Sequence, residues 1–381
     1  MASIQTLDPR HSAVTHIDHL LTTALHEAAS DVHIDPVADG LVIRFRVDGR
    51  LEERYSVSSG QKAALVARIK VLANLDIAEK RRPQDGRIRF ASASGETDIR
   101  VSVVPVIHGE KVVLRILDSG FAGSDFLSLG FSEEQDSLLR EALSYSSGLI
   151  LVTGPTGCGK STTLYTALQI LNEPSRNILT IEDPVERQLA GINQSAVHEA
   201  IGYTFPAALR SFLRQDPNVI MVGEIRDAET ATIAIRAAMT GHLVLSTLHT
   251  QTAAGAVDRL RDIGVEPYLI QATLRLVVSQ RLVRTLCPEC RQPDPDGKEV
   301  LSRQPLGESF SSPESWSVFK PAGCSSCRFT GFRGRRVIGD VFLPGHSAVQ
   351  QGREDDGLRQ SGYRAVAAGR TTLPEILAEV G

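Results

Sequence analysis

The pattern of apolar and polar positions changes rhythm near residue 120. Before that point, apolar residues at helical spacing predict one helix over residues 17–29 and another over residues 61–75, where Leu65, Ile69 and Leu72 share a stripe. Around these helices the period drops to two. Leu41, Ile43, Phe45 and Val47 share one face and Arg44 and Arg46 the other, and Asp48-Gly49 is a hairpin-turn signal. Strand alternation returns over residues 86–90, 99–103 and 112–117, and residues 118–124 have linker composition. The pattern predicts an N-terminal tail over residues 1–13 and a small α+β domain over residues 14–120.

From about residue 126, short continuously apolar segments alternate with helical stretches, the mark of a parallel sheet covered by helices. Four such segments, residues 149–152, 178–181, 219–222 and 243–245, are separated by gaps long enough for crossover helices. Each is followed by chemically capable residues: a glycine-rich loop, Glu182-Asp183, Glu224 and His249. Ligands of open parallel sheets bind beyond the carboxyl ends of the strands. An α/β domain over residues 126–285 is therefore expected to gather four separate pieces of chemistry on one rim. A cysteine-bearing region over residues 286–345 and a helical tail over residues 346–381 follow. Thr372-Leu373-Pro374-Glu375 reads as a capping box that opens a short last helix.

The glycine-rich loop Gly154-Pro155-Thr156-Gly157-Cys158-Gly159-Lys160-Ser161, followed by Thr162, matches the phosphate-binding pattern G-x-x-x-x-G-K-[ST] in full. Glycines let backbone N–H groups close around phosphate oxygens, and the helix that follows adds partial positive charge. Lys160 is expected to reach the β- and γ-phosphates of ATP and the Ser161 hydroxyl to ligate Mg²⁺. Cys158 sits inside the loop, where a helix N-terminus would lower its thiol pKa; the plainer reading is a small filler side chain.

Glu182 and Asp183 stand where a carboxylate can orient or deprotonate an attacking water, the alternative being that they cap the turn before Pro184. Glu224 stands where a Walker B acid belongs, with contact to Mg²⁺ through water or to the nucleophilic water itself; the alternative is an acid at a helix N-terminus. His242 and His249 flank the fourth strand, where a histidine can sense the γ-phosphate, although single histidines are more often structural. Arg210 and Arg214 lie four apart on one predicted helix and share its face, with solvated surface arginines as the alternative.

Composition narrows the setting. The chain has 381 residues, enough for two or three domains, and a net charge of −4, so it is no general polyanion binder. No apolar run is long enough to span a bilayer and the N-terminus lacks the apolar core of a secretory signal, so membrane contact is expected to be peripheral and the cytoplasm is the expected location. Of five cysteines, four form the pairs Cys287-x-x-Cys290 and Cys324-x-x-Cys327, the thiolate set of a structural Zn²⁺ site, with free or paired thiols as the alternative. The interval between the pairs requires the loop over residues 291–323 to bulge out.

In order along the chain, residues 154–165, 180–186, 209–217, 223–227 and 240–250 resemble the Walker A, Asp box, arginine helix, Walker B and His box of the type II secretion and type IV pilus assembly ATPases. Residues 29–34, 43–49 and 83–87 resemble that family's front domain, and the cysteine pairs followed by Thr330-Gly331-Phe332-Arg333-Gly334-Arg335 look like its assembly branch. The resemblance covers residues 15–380. It implies a PAS-like front domain, a RecA-like motor domain and a C-terminal Cys₄ subdomain. It further implies a homohexamer at the cytoplasmic face of the inner membrane, with a platform protein and a membrane-anchored cytoplasmic docking protein as partners and no nucleic acid.

ATP turnover would then drive assembly of a type II secretion pseudopilus or a type IV pilus. In that scheme Arg87 and Arg100 approach the nucleotide as the domains close, Glu182 is the general base and Glu224 the Walker B acid. About a dozen residues precede the front domain, which implies a short form without the extra docking domain of many relatives and admits the motor of a competence DNA-uptake pilus. Ile338-Gly339-Asp340 stands where relatives carry a Glu. The other readings are an ATP-binding scaffold with little turnover and, from the basic bias of the cysteine region, a nucleic-acid translocase.

Overall fold

A computed structural model describes residues 5–8, 10–92, 95–117, 125–306, 310, 312–343 and 357–381. The chain forms two compact units, residues 1–121 and 122–381. The linker read over residues 118–124 lies outside the described residues.

The first unit is a seven-stranded sheet with two helices on one face. In chain order its elements are β1 (Gln5–Thr6), α1 (Ala13–His26), β2 (Asp31–Val37), β3 (Gly40–Val47), β4 (Arg50–Ser58), α2 (Ser59–Leu72), β5 (Gln84–Ser92), β6 (Gly95–Val106) and β7 (Gly109–Ile116). The strand order is β1-β4-β3-β2-β7-β6-β5, antiparallel except for β1, which pairs in parallel with β4. Part of the expected N-terminal tail is thus an edge strand. Ile17, Leu20 and Leu21 of α1 and Leu65 and Ile69 of α2 pack on Ile34, Ile43, Phe45, Ile99 and Val103, the inward positions of the strands. Asp48 and Gly49 both take positive φ, 49° and 84°, the requirement of a tight turn whose twist matches its strands.

The second unit is built on a second seven-stranded sheet. It opens with α3 (Phe126–Leu129) and α4 (Glu133–Ser144), the latter started by a Ser132/Gln135 capping box. Then follow β8 (Gly148–Thr153), α5 (Lys160–Leu171), β9 (Ile178–Glu182), β10 (Asn193–Ala196), α6 (Phe205–Phe212), β11 (Val219–Val222), α7 (Ala228–Met239), β12 (Leu243–Leu248), α8 (Ala254–Asp262), α9 (Pro267–Thr273) and β13 (Leu274–Leu286). The sheet order is β10-β9-β11-β12-β8-β13-β16, parallel throughout except for β16 (Phe332–Phe342) against β13. This is a RecA-like motor sheet, in which the strand before the phosphate-binding loop is flanked by β12 and β13.

Between β13 and β16 lie β14 (Gln292–Pro293), α10 (Pro295–Ser302) and β15 (Phe319–Lys320); α11 (Gly357–Ala367) and α12 (Leu373–Val380) end the chain. The cysteine region is therefore an insertion between two neighbouring strands of the motor sheet, and the boundary drawn at residues 286–345 takes in β16, a strand of that sheet. The described residues of its loop do not bulge out as expected. Leu301, Trp316 and Val318 are buried against Tyr363, Val366 and Ile376 of the final helices, so apolar burial draws the insertion inward.

The expected capping box at Thr372 does not form. Thr372 makes no side-chain cap bond, and the Glu375 carboxylate that would complete the box by accepting from the Thr372 N–H is taken by Arg284, with Nε and Nη2 at 2.8 and 2.7 Å. A buried bidentate guanidinium–carboxylate pair outweighs one exposed cap. Arg284 also stacks 4.0 Å from the Phe332 ring centroid, tying α12, β13 and β16 together.

Candidate functional site

The four strand ends do meet on one rim. In register, Thr153 at the end of β8 pairs with Leu248 of β12, Val222 of β11 with Ser246, and Ile181 of β9 with Val222. The loop that leaves β8 turns on three glycines with positive φ, Gly154 at 142°, Gly157 at 80° and Gly159 at 90°. At Gly154 a Cβ would lie 2.6 Å from the Cys158 sulfur and from the Gln280 carbonyl, so no side chain fits. Pro155, Thr156 and Gly157 are exposed, and Gly159 leads directly into α5, whose first turn carries Lys160, Ser161 and Thr162. The Lys160 ammonium donates to the carbonyls of Gly154 and Pro155 at 2.9 and 3.0 Å. Burial lowers its pKa, opposed by the charges of Cys158 and Glu224.

Cys158 does not have the environment of a reactive thiol. It is buried, and burial pushes its pKa up, with Lys160 and Arg281 pulling only partly against it. The lowered pKa expected from the helix N-terminus is overridden by desolvation.

Glu182 closes β9 and is 4% exposed. Its carboxylate accepts bonds from Thr180 Oγ1 at 2.6 Å, Gln194 Nε2 at 3.0 Å and the Tyr165 hydroxyl. Burial and the adjoining Glu182 charge push the Tyr165 phenol pKa far up, so it stays a proton donor. Asp183, one residue on, is exposed. Glu224 lies just past β11, and its carboxylate contacts Arg226 and sits 3.5 Å from His249 Nε2. The strand ends that carry it are stitched together: Thr247 Oγ1 donates to the Gly223 carbonyl at 2.8 Å and Ser246 Oγ to the Val222 carbonyl at 2.8 Å. Asp227 caps α7 through Thr230 N at 2.8 Å.

Two expected placements differ. His242 precedes β12 and His249 follows it, and six residues at about 3.3 Å each put His242 some 20 Å from the rim. There His242 Nδ1 lies 2.9 Å from the Ala237 carbonyl, closing the end of α7. Arg214 lies past α6, whose last turn tightens so that Arg214 N–H bonds the Ser211 carbonyl. Its guanidinium reaches back to the Arg210 carbonyl at 2.8 Å, while that of Arg210 contacts Glu229.

A fifth strand, unread in the sequence, contributes to the site from its middle, just past where it pairs with the end of β8. Gln280 of β13 is fully buried beside the loop: its Nε2 donates to the Cys158 carbonyl at 2.8 Å and its Oε1 accepts from Thr163 Oγ1 at 2.9 Å. Arg281 follows, donating to Gln251 Oε1 at 2.6 Å and to the Gln251 carbonyl at 3.1 Å. The available signal was the polar run Ser279-Gln280-Arg281 inside an otherwise apolar strand.

In the first unit, Arg87, Arg100 and Arg115 stand directly opposite one another across β5, β6 and β7 and line a cleft of about 500 Å³. Arg115 Nε also donates to Asp31 at 3.0 Å.

The four paired cysteines converge as well. Their sulfurs lie within 4.8 Å of one another, with Cys287–Cys324 at 3.9 Å, Cys290–Cys327 at 3.7 Å and Cys324–Cys327 at 3.8 Å. A tetrahedron of thiolates about 2.3 Å from zinc has edges of about 3.8 Å, so the set fits that ion and not a disulfide. Burial acts to raise the Cys327 thiol, but N–H groups of Cys324 and Gly331 outweigh it and bring its pKa down to about 6.

A phosphate-binding loop at the head of a RecA-like sheet, with two acids and a histidine on the same rim, defines a P-loop ATPase. The family profile of the type II/IV secretion system proteins matches residues 7–378, and the chain belongs to that family. It is 47% identical over 375 residues to the type II secretion system ATPase E of Vibrio cholerae, covering 95% of this chain and 74% of that protein. It is 44% identical over 380 residues to the type IV pilus assembly ATPase PilB of Myxococcus xanthus, covering 95% of this chain and 66% of that one. Among solved structures, the DotB ATPase of Legionella pneumophila shares the fold with a TM-score of 0.64 at 22% identity, over 96% of this chain and 92% of that one. The chain is an ATP-hydrolysing secretion or pilus motor. Among the described residues no helix is long and apolar enough to cross a membrane.

Proposed function

We propose that the chain works as a homohexamer on the cytoplasmic face of the inner membrane and uses ATP to drive assembly of a pseudopilus or pilus. The observation that carries this reading is the rim itself, where loop 154–161, Glu182, Glu224 and His249 come together. Loop N–H groups and Lys160 would hold the phosphates, with Lys160 exchanging its bonds to Gly154 and Pro155 for phosphate oxygens. Mg²⁺ would be held by Ser161 and, through its water shell, Glu224, and would neutralise charge that builds on the phosphates.

In this reading Glu182 acts as general base and must exchange one of its three protein donors for the attacking water. His249 next to Glu224 would report the state of the γ-phosphate. Arg87 and Arg100 would add positive charge from the front domain, and Arg210 and Arg214 from the motor surface. A Zn²⁺ on the four cysteines would be structural, since a full thiolate shell leaves no open position. An inner-membrane platform protein and a membrane-anchored docking protein would be the partners, as for the secretion and pilus ATPases to which the chain is similar.

ATP turnover by the assembled wild-type protein and by Glu224→Gln tests the reading. The variant should lose about 100-fold or more in kcat, the scale of a lost acid–base or metal-positioning group. Equal rates would defeat it.

A further inference from the structure

Among the described residues, the lining of one cleft of the motor unit is rich in arginine. It opens among α4, β16 and α11, with a volume of about 730 Å³, and none of residues 154–162 lines it. Among the described residues that line it are Arg335, Arg336, Arg364 and Arg370 and one acid, Glu133. Among the described residues Arg335, Arg336 and Arg370 form no ion pair; the Arg336 guanidinium donates to the Gly130 carbonyl at 3.0 Å and leaves its Nε buried without a partner. Burial first, and the neighbouring Arg370 charge second, lower the Arg336 pKa. Arg336 is half-buried while Arg335 and Arg370 are exposed beside it; like charges around a half-buried guanidinium repel it, and an anion seated between them removes that penalty.

Guanidinium groups present paired N–H donors that match phosphate oxygens in a fork geometry. Several of them facing one carboxylate call for at least two negative charges on one compact group, which a phosphomonoester or a polyphosphate carries and a single carboxylate or phosphodiester does not. We propose that this cleft is a second anion site, separate from the phosphate-binding loop, which takes a phosphate-bearing ligand between Arg335, Arg336 and Arg370. The phosphate belongs either to a soluble polyphosphate or to a lipid headgroup, and the two sources separate experimentally.

The full chain, with its loop saturated by Mg-ADP, is titrated with inorganic pyrophosphate by calorimetry. It is also floated with vesicles of phosphatidylcholine alone or mixed with phosphatidic acid, whose headgroup is a phosphomonoester. Binding of pyrophosphate assigns a soluble ligand, and flotation only with the anionic vesicles assigns a headgroup. In either case Arg335→Ala/Arg370→Ala should weaken binding about tenfold or more, and Glu133→Gln, which removes an opposing charge from the lining, should tighten it about two- to fivefold. Absence of binding to both probes overturns the proposal, as does a folded double variant that binds like the wild type. Should the double variant not fold, unchanged affinity in Glu133→Gln overturns it instead.

Discussion

Replacing Gln280 by Met removes both polar contacts that lock the phosphate-binding loop while nearly keeping the side chain's volume. The Cys158 carbonyl then loses its donor in a buried site, which costs about 1–3 kcal/mol. The Thr163 hydroxyl loses less, because the Gly159 carbonyl lies 3.4 Å away as a second acceptor. The thermal midpoint of the motor unit should fall by about 2–4 °C per kcal/mol. If the bond's contribution goes into ordering the loop, the KM for ATP rises by at most the same free energy, about 5- to 150-fold, with kcat little changed. Gln280→Glu is the companion variant: it keeps the acceptor for Thr163 but sets an oxygen against the Cys158 carbonyl, so it should be at least as damaging. Steady-state ATPase titrations and thermal unfolding of the three proteins decide the matter. A Gln280→Met protein with wild-type KM and midpoint would refute the view that β13 holds the loop.

The two acids on the rim should separate by stability. Glu182→Gln puts an amide among three donors and should lower both kcat and the thermal midpoint, whereas Glu224→Gln, on a partly open carboxylate, should lower kcat alone. Kinetics and melting curves of the pair check this. Burial raises the Cys158 pKa, so less thiolate is present at pH 8 than for a free cysteine, and its alkylation rate should keep climbing with pH after a free thiol has levelled off. Mass spectrometry of the loop peptide measures it, and fast labelling at pH 7 would contradict the burial argument. Purified chain should carry one zinc, lost in Cys324→Ser together with several degrees of thermal stability, as read by elemental analysis and unfolding; full stability without metal would exclude a structural site.

What the sequence makes legible here is whatever chemistry sits next to the element that positions it. Loop 154–161 directly follows a buried strand, Glu182 ends its strand and Glu224 lies two residues past the end of its own, and short-range order carries each to the rim. Contacts made across long separations stayed hidden. Gln280 meets Cys158 from 122 residues away, and a glutamine inside an apolar run reads as an interruption until the carbonyl it serves is known. Glu375 forms a cap pattern with Thr372, yet it belongs to Arg284, 91 residues upstream, because a desolvated guanidinium competes for a carboxylate more strongly than an exposed backbone N–H does. His242 is a different kind of miss. A residue before a parallel strand and one after it lie at opposite ends of the sheet, so direction alone separates it from His249. The same logic bears on the motor. Its loop is held from behind by a strand that continues into the cysteine insertion, and Cys287 follows β13 without a break. The cysteine region and the β16 cleft are thus joined to Gln280, and through it to the phosphate-binding loop, by one strand and its hydrogen-bonded neighbour.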